Sequence, residues 1–171
     1  MTANTVVAHD AAFVPAPAAD DSKVVLETRF GVMSFDRTAS IYMPRGLLGY
    51  AGFHDFALAN LPDPKLTQFK LLQSLSEPTL SFVVAPINLE NDLIELADLE
   101  AACRTLSIAM TDAALMLVVA TRRIGAATQI SVNLRAPVIG DTRNQAAWQQ
   151  ILSNHRYPVR HVVGTGSSAA G

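Results

Sequence analysis

The stretch QFKLLQSLSEPTLSFVVAP, Gln68–Pro86, constrains this chain more than any other. Phe69, Leu71, Gln73 and Leu75 alternate with Lys70, Leu72 and Ser74, the period-2 pattern of a strand. Leu80, Phe82 and Val84 alternate in the same way with Ser81, Val83 and Ala85. Between the two runs lies Ser76–Thr79. Pro78 presets φ for a turn and has no N–H to give a ladder, so the chain reverses there. Two strand patterns joined by a short polar link form an antiparallel hairpin. Both of its faces carry apolar residues. That predicts a central place in a sheet, covered on one side and partly on the other.

The flanking chain repeats the theme. Val24–Phe30, Val32–Phe35, Ser40–Met43 and His54–Asn60 read as strands before the hairpin, with Gly31 at a reversal and Pro44 as a stop. After it, Asn91–Leu96, Ala113–Thr121 and Thr128–Ala136 carry strand character, Val138–Ile139 and Ala147–Leu152 follow, and His155–Val163 closes the domain. Leu93, Leu96, Leu99, Cys103 and Leu106 recur at intervals of three and four, which places one short helix over about Ala97–Leu106. Cys103 belongs to that apolar stripe and reads as a buried thiol. Strands outnumber helices too heavily for a βαβ fold. The expected fold is mainly β: a compact antiparallel β-barrel-like domain with one short helix, spanning residues 23–163. Met1–Ser22, rich in Ala with Pro15 and Pro17, reads as a disordered tail, and Gly164–Gly171 as a flexible one.

The search for chemistry returns few candidates. There is no glycine-rich phosphate loop of the usual spacing, no GxSxG and no HExxH. His9, His54, His155 and His161 show no metal-ligand spacing, and His54 and Asp55, being adjacent on a strand, point to opposite faces. No catalytic, cofactor or metal site is therefore assigned. No apolar run approaches the ~18–20 residues of a membrane span. A single cysteine favours a reducing compartment. Charge is unevenly spread: residues 88–112 hold six acids and one base, and residues 113–171 six bases and one acid. The arginines lack the interleaved aromatics of a single-strand platform, so direct nucleic-acid binding is not expected. Pro44–Gly52, with three glycines and one proline, is a loop with tight backbone requirements. It presents Leu47, Leu48 and Tyr50, and Phe53 follows it. These either tuck over the barrel end or form an exposed apolar contact surface.

Arg156–His161, RYPVRH, meets four further motifs in order: TRFG (Thr28–Gly31), MPRGLLGYAGF (Met43–Phe53), LQSLSEPTLSFVV (Leu72–Val84) and VNLRAPVI (Val132–Ile139). Together they resemble the FliW family of bacterial flagellar assembly factors. The resemblance implies a cytoplasmic β-barrel-like protein that is not an enzyme and needs no cofactor. It implies two protein partners, flagellin before its export and CsrA, a dimeric RNA-binding repressor of flagellin translation. Accumulated flagellin would occupy the factor and free CsrA to repress. The free protein is expected to be a monomer. For these partners the candidate contacts are the apolar Leu47, Leu48, Tyr50 and Phe53 for flagellin. The acidic Glu90, Asp92, Glu95 and Asp98 are the candidates for CsrA. The alternative is a β-barrel that binds an oligonucleotide or a small ligand directly. The family commonly carries an aromatic, acidic stretch after the hairpin, where Ile87–Asp92 here has no aromatic.

Overall fold

A computed structural model describes residues 20–91 and 93–167. In chain order the strands are β1 (Lys23–Thr28), β2 (Gly31–Asp36), β3 (Ile41–Tyr42), β4 (Asp55–Asn60), β5 (Lys70–Ser74) and β6 (Ser81–Pro86). After helix α1 (Leu96–Thr105) come β7 (Ala113–Ile124), β8 (Ala127–Val132), β9 (Val138–Asp141), β10 (Ala146–Gln149) and β11 (His161–Ser167). The fold is mainly β with one α-helix among the described residues.

The hairpin β5–β6 sits at the centre, in the register Lys70↔Val84, Leu71↔Val83, Leu72↔Phe82 and Gln73↔Ser81. Two polar side chains build its turn. Gln73 Nε2 donates to the carbonyls of Ser74 at 2.9 Å, Pro78 at 3.1 Å and Leu80 at 3.1 Å. Ser74 Oγ accepts from the Glu77 N–H at 3.1 Å. A buried amide here serves the backbone that Pro78 leaves short of ladder bonds. Leu71, Leu72, Gln73 and Ser74 are all buried, so β5 is covered on both faces, more completely than its sequence implied.

From this hairpin the sheet closes on itself. β5 pairs with β4, β4 with β3, β3 with β10, β10 with β9, and β9 with the first half of β7, which also pairs with β6. The closure is barrel-like, with one departure from the antiparallel expectation: β10 runs parallel to β3 at Ala146↔Tyr42. A parallel neighbour needs a long crossover. The chain between β3 and β10 supplies it, and no local pattern marks such a pairing. The second half of β7 leaves the ring and pairs with β8, which pairs with β11. A separate hairpin, β1–β2, reverses at Gly31, whose φ of +97° is open to glycine.

Strand alternation in β7 divides the core. Met116 points into the ring with Met43, Leu47, Phe56, Leu72, Val84, Val138 and Ala147. Leu117 points the other way, to α1, where Leu99, Ala102 and Cys103 pack with Val132, Leu134, Ile139, Leu152 and Tyr157. Each fully buried large side chain contributes about 1.5–3 kcal/mol relative to exposure.

Several boundaries differ from the sequence reading. Asn91–Leu96 is not a strand: Leu89–Asn91 makes a 3-10 turn and the chain enters α1 at Leu96. Within His155–Val163, the segment expected to close the domain, the strand starts only at His161, because Tyr157 is used elsewhere and Pro158 cannot pair fully. It then continues through Ser167, beyond the expected boundary at Gly164, since Thr165 and Gly166 still pair with Gln129 and Thr128. The expected N-terminal tail, apart from Asp20–Ser22, lies outside the described residues, as do residues 168–171.

Candidate protein-binding surfaces

The loop after β3 is closed by its own backbone. The N–H of Gly46 donates to Met43 O at 3.0 Å, that of Tyr50 to Leu47 O at 2.7 Å, and that of Phe53 to Tyr50 O at 3.2 Å. Gly46 holds φ at +59°, and a Cβ there would lie 2.3 Å from Tyr50 O, so only glycine fits. The four apolar residues predicted as one surface divide in two. Leu47 is 2% exposed and sits in the ring interior. Phe53 is half-buried against the same cluster. Leu48, 51% exposed, and Tyr50, 41% exposed, face solvent. Leu47 therefore leaves the contact surface, because its burial is what fixes the loop. Tyr50 is braced from beneath: its ring meets Phe82 edge-on at 5.1 Å.

Gln149 on β10 was not singled out by any sequence pattern, yet it fixes this loop. Its Oε1 accepts from the Leu48 N–H at 2.9 Å and its Nε2 donates to Ala136 O at 3.1 Å. One side-chain amide thus ties the loop to the RAPV segment. The available signal was a glutamine on a short strand, long enough to span two backbones. Asn133 acts more locally, its Oδ1 accepting from the N–H groups of Arg135 at 3.0 Å and Ala136 at 3.1 Å.

The acidic candidates lie at the start of α1, packed on the other core cluster. Glu90 is exposed in its 3-10 turn, and Asp92 lies outside the described residues. Glu95 and Asp98 are already engaged. The Glu95 carboxylate pairs with Arg156 Nη2 at 2.5 Å, and the Glu95 N–H donates to Tyr157 Oη at 3.0 Å. Tyr157 Oη donates to Asp98 Oδ2 at 2.5 Å, and Asn154 Nδ2 donates to the same oxygen at 3.2 Å. The tyrosine hydroxyl above all, helped by Asn154 and Arg156, holds the Asp98 carboxyl below the usual carboxylate range, against an opposing desolvation that outweighs either of the two lesser partners. Bonds to Glu95 and Tyr157 raise the affinity of Arg156 for its proton. Tyr157 is itself buried. This network clamps the C-terminal RYP segment onto the first turn of α1, where acids also suit the helix dipole.

Other candidates are accounted for by the fold. His54 Nδ1 is 2.9 Å from Met43 O, and its ring lies 5.8 Å from that of Tyr42. Cys103 is buried, which pushes its thiol pKa up. Among the described residues no three His, Cys, Asp or Glu side chains converge as a metal site, and no helix is long and apolar enough to cross a membrane. An open apolar cleft of about 420 Å³ lies between Leu61, Leu66, Phe69, Val83, Val119 and Ile130.

The family profile described as "FliW protein" matches residues 24–163, from the second residue of β1 into β11. The chain belongs to the FliW family. It is similar to flagellar assembly factor FliW of Geotalea uraniireducens (strain Rf4), with 30% identity over 137 residues covering 80% of this chain and 82% of that one. A similar likeness holds to flagellar assembly factor FliW of Syntrophotalea carbinolica (strain DSM 2380 / NBRC 103641 / GraBd1), 30% identical over 140 residues covering 81% and 96%. A crystal structure of the flagellar assembly factor FliW shares the fold, with a TM-score of 0.63 and 24% identity over 82% of this chain and 95% of that one. The five stretches that carried the resemblance fall on the β1–β2 turn, the glycine loop, the hairpin turn, the Asn133 turn and the Tyr157 clamp.

Proposed function

We propose that this chain is a cytoplasmic protein-binding module that holds flagellin before export and, when free of it, antagonises the translational regulator CsrA. The family match across residues 24–163 carries this reading. The surfaces support it. Leu48 and Tyr50 form a small apolar platform on a rigid loop, suited to the apolar face of a helical segment, and we assign it to flagellin. Glu90, exposed, gives a negative approach to a basic RNA-binding partner and acts through steering more than affinity, whereas Glu95 must first leave Arg156. Asp98 positions the start of α1 rather than touching a partner. By linkage, RNA bound to CsrA weakens this chain's hold on CsrA by the factor through which this chain weakens RNA binding. The free protein acts as a monomer and performs no catalytic step.

The test is calorimetry of the purified chain against CsrA and, separately, against flagellin monomer from the same organism, with a short single-stranded RNA as control. Binding to either protein and not to RNA supports the reading. Binding to RNA alone overturns it, and leaves a barrel that takes oligonucleotides directly.

A further inference from the structure

The second half of β7, with β8 and β11, runs beyond the closed ring as a three-stranded extension. Its last strand, β11, pairs with β8 on one side, and among the described residues no strand pairs with the other. An open edge offers a row of backbone N–H and C=O groups to any extended chain, and edges not meant for pairing are usually guarded by lysine, proline or inward charge. His161–Ser167, HVVGTGS, contains none of Lys, Pro, Asp or Glu. Its guard is a register shift between Val162 and Gly164. Val162 and Val163 stand about half exposed along this edge, at 47% and 48%.

One face of the extension is basic. The registers Ala120↔Ser131↔Val162 and Arg122↔Gln129↔Thr165 place Arg122, Gln129, Ser131, Val162 and Thr165 on the same side. Arg160 precedes β11 and joins Arg122, Gln129 and Ser131 in lining an open cavity of about 320 Å³. The ion pairs among the described residues are Arg143–Asp112 and Arg156–Glu95, so neither Arg122 nor Arg160 has a carboxylate partner there.

We propose that the outer edge of β11 takes an extended, acidic segment of a partner protein as a further strand, its carboxylates meeting Arg160 beside that edge, with Arg122 two strands further in on the same face. A strand alternates its side chains, so every second residue of such a segment lies on the arginine face, with carboxylates about 7 Å apart. Guanidinium forks match carboxylates in two-point contacts, and the peptide backbone satisfies the open ladder. A nucleic acid fits less well. No aromatic side chain lines the cavity to stack on a base, and a sugar-phosphate chain does not use a strand edge. This surface is separate from the Leu48–Tyr50 platform and from the start of α1, so the proposal stands or falls independently of flagellin and CsrA.

The test uses the full chain and three probes: an acetylated octapeptide alternating Glu with Val or Thr, the same peptide with every Glu replaced by Gln, and a short oligouridylate. Affinity is read by fluorescence anisotropy and edge pairing by hydrogen exchange at residues 161–167. The acidic peptide is expected to bind and to slow exchange of β11 amides. Its affinity should fall at least about tenfold in the all-Gln peptide and in the Arg160→Gln variant, a loss of about 1.4 kcal/mol or more. The peptide comparison needs no altered protein, so it holds even where the variant folds poorly. No binding, binding without amide protection, or equal affinity for the Gln peptide overturns the proposal. So does oligouridylate binding that depends on Arg160 and displaces the peptide.

Discussion

The loop Met43–Phe53 and the start of α1 both carry the residue types of a binding surface, and they differ in what those residues are free to do. In the loop the anchoring is done by Leu47, Phe53 and the Leu48 backbone, which leaves the Leu48 side chain and the outer face of Tyr50 open. At α1 the anchoring is done by the acids themselves, through Arg156, Tyr157 and Asn154. Exposure is therefore not the same as availability. Glu95 reaches solvent but already has an ion pair. An exposed pair of this kind adds little stability, and it must be broken before the carboxylate serves a partner.

That contrast breaks first at Gly46. Gly46→Ala forces both a strained φ and a backbone clash with Tyr50 O, and should cost on the order of 3 kcal/mol in urea unfolding. Gly49→Ala is the control. It also has positive φ, +86°, but nothing lies within 4 Å of its Cβ position, so its cost should be about 1 kcal/mol. Equal losses at the two glycines would mean that strain alone, not close approach, sets the loop.

Gln149→Leu comes next. It removes the bridge between Leu48 N and Ala136 O and should cost about 1 kcal/mol, with faster exchange at the Leu48 amide and unchanged exchange in β5. On the α1 side, Tyr157→Phe deletes the hydroxyl that lowers Asp98. A carboxyl whose folded pKa is depressed stabilises the fold above its unfolded value of about 3.9, and that contribution is lost as pH falls through the lower folded value. The variant should thus be less stable than the parent at neutral pH, and the gap should narrow below about pH 4. A gap that stayed constant down to pH 2 would assign the loss to the hydroxyl's bond from the Glu95 N–H rather than to Asp98. Leu48→Asp is the smallest, a change at a half-exposed side chain, and should move stability by less than about 0.5 kcal/mol.

The same contrast explains what was legible in the chain. Local features read well: the period-2 runs of β5 and β6, the left-handed glycines of the loop, and the three-and-four spacing that buries Leu99 and Cys103. Features that depend on distant partners did not. Ala113–Thr121 looks like one buried strand, but β7 serves β9 with its first residues and β8 with its last, and ends exposed at Ile124. The parallel β3–β10 contact, the reach of Gln149 and the Tyr157–Asp98 bond all join residues far apart in sequence. Leu47 and Leu48 are identical in type and adjacent in sequence, and only the closed ring decides that one is core and the other surface.

The measurement that bears most directly on this account is calorimetry of flagellin monomer against the Leu48→Asp, Tyr50→Asp variant, with a Glu90→Lys, Glu95→Lys variant in parallel and folding of each confirmed by its melting transition. The account predicts that the first variant loses flagellin and the second retains it. A folded Leu48→Asp, Tyr50→Asp protein that still holds flagellin with the parent's affinity would contradict it.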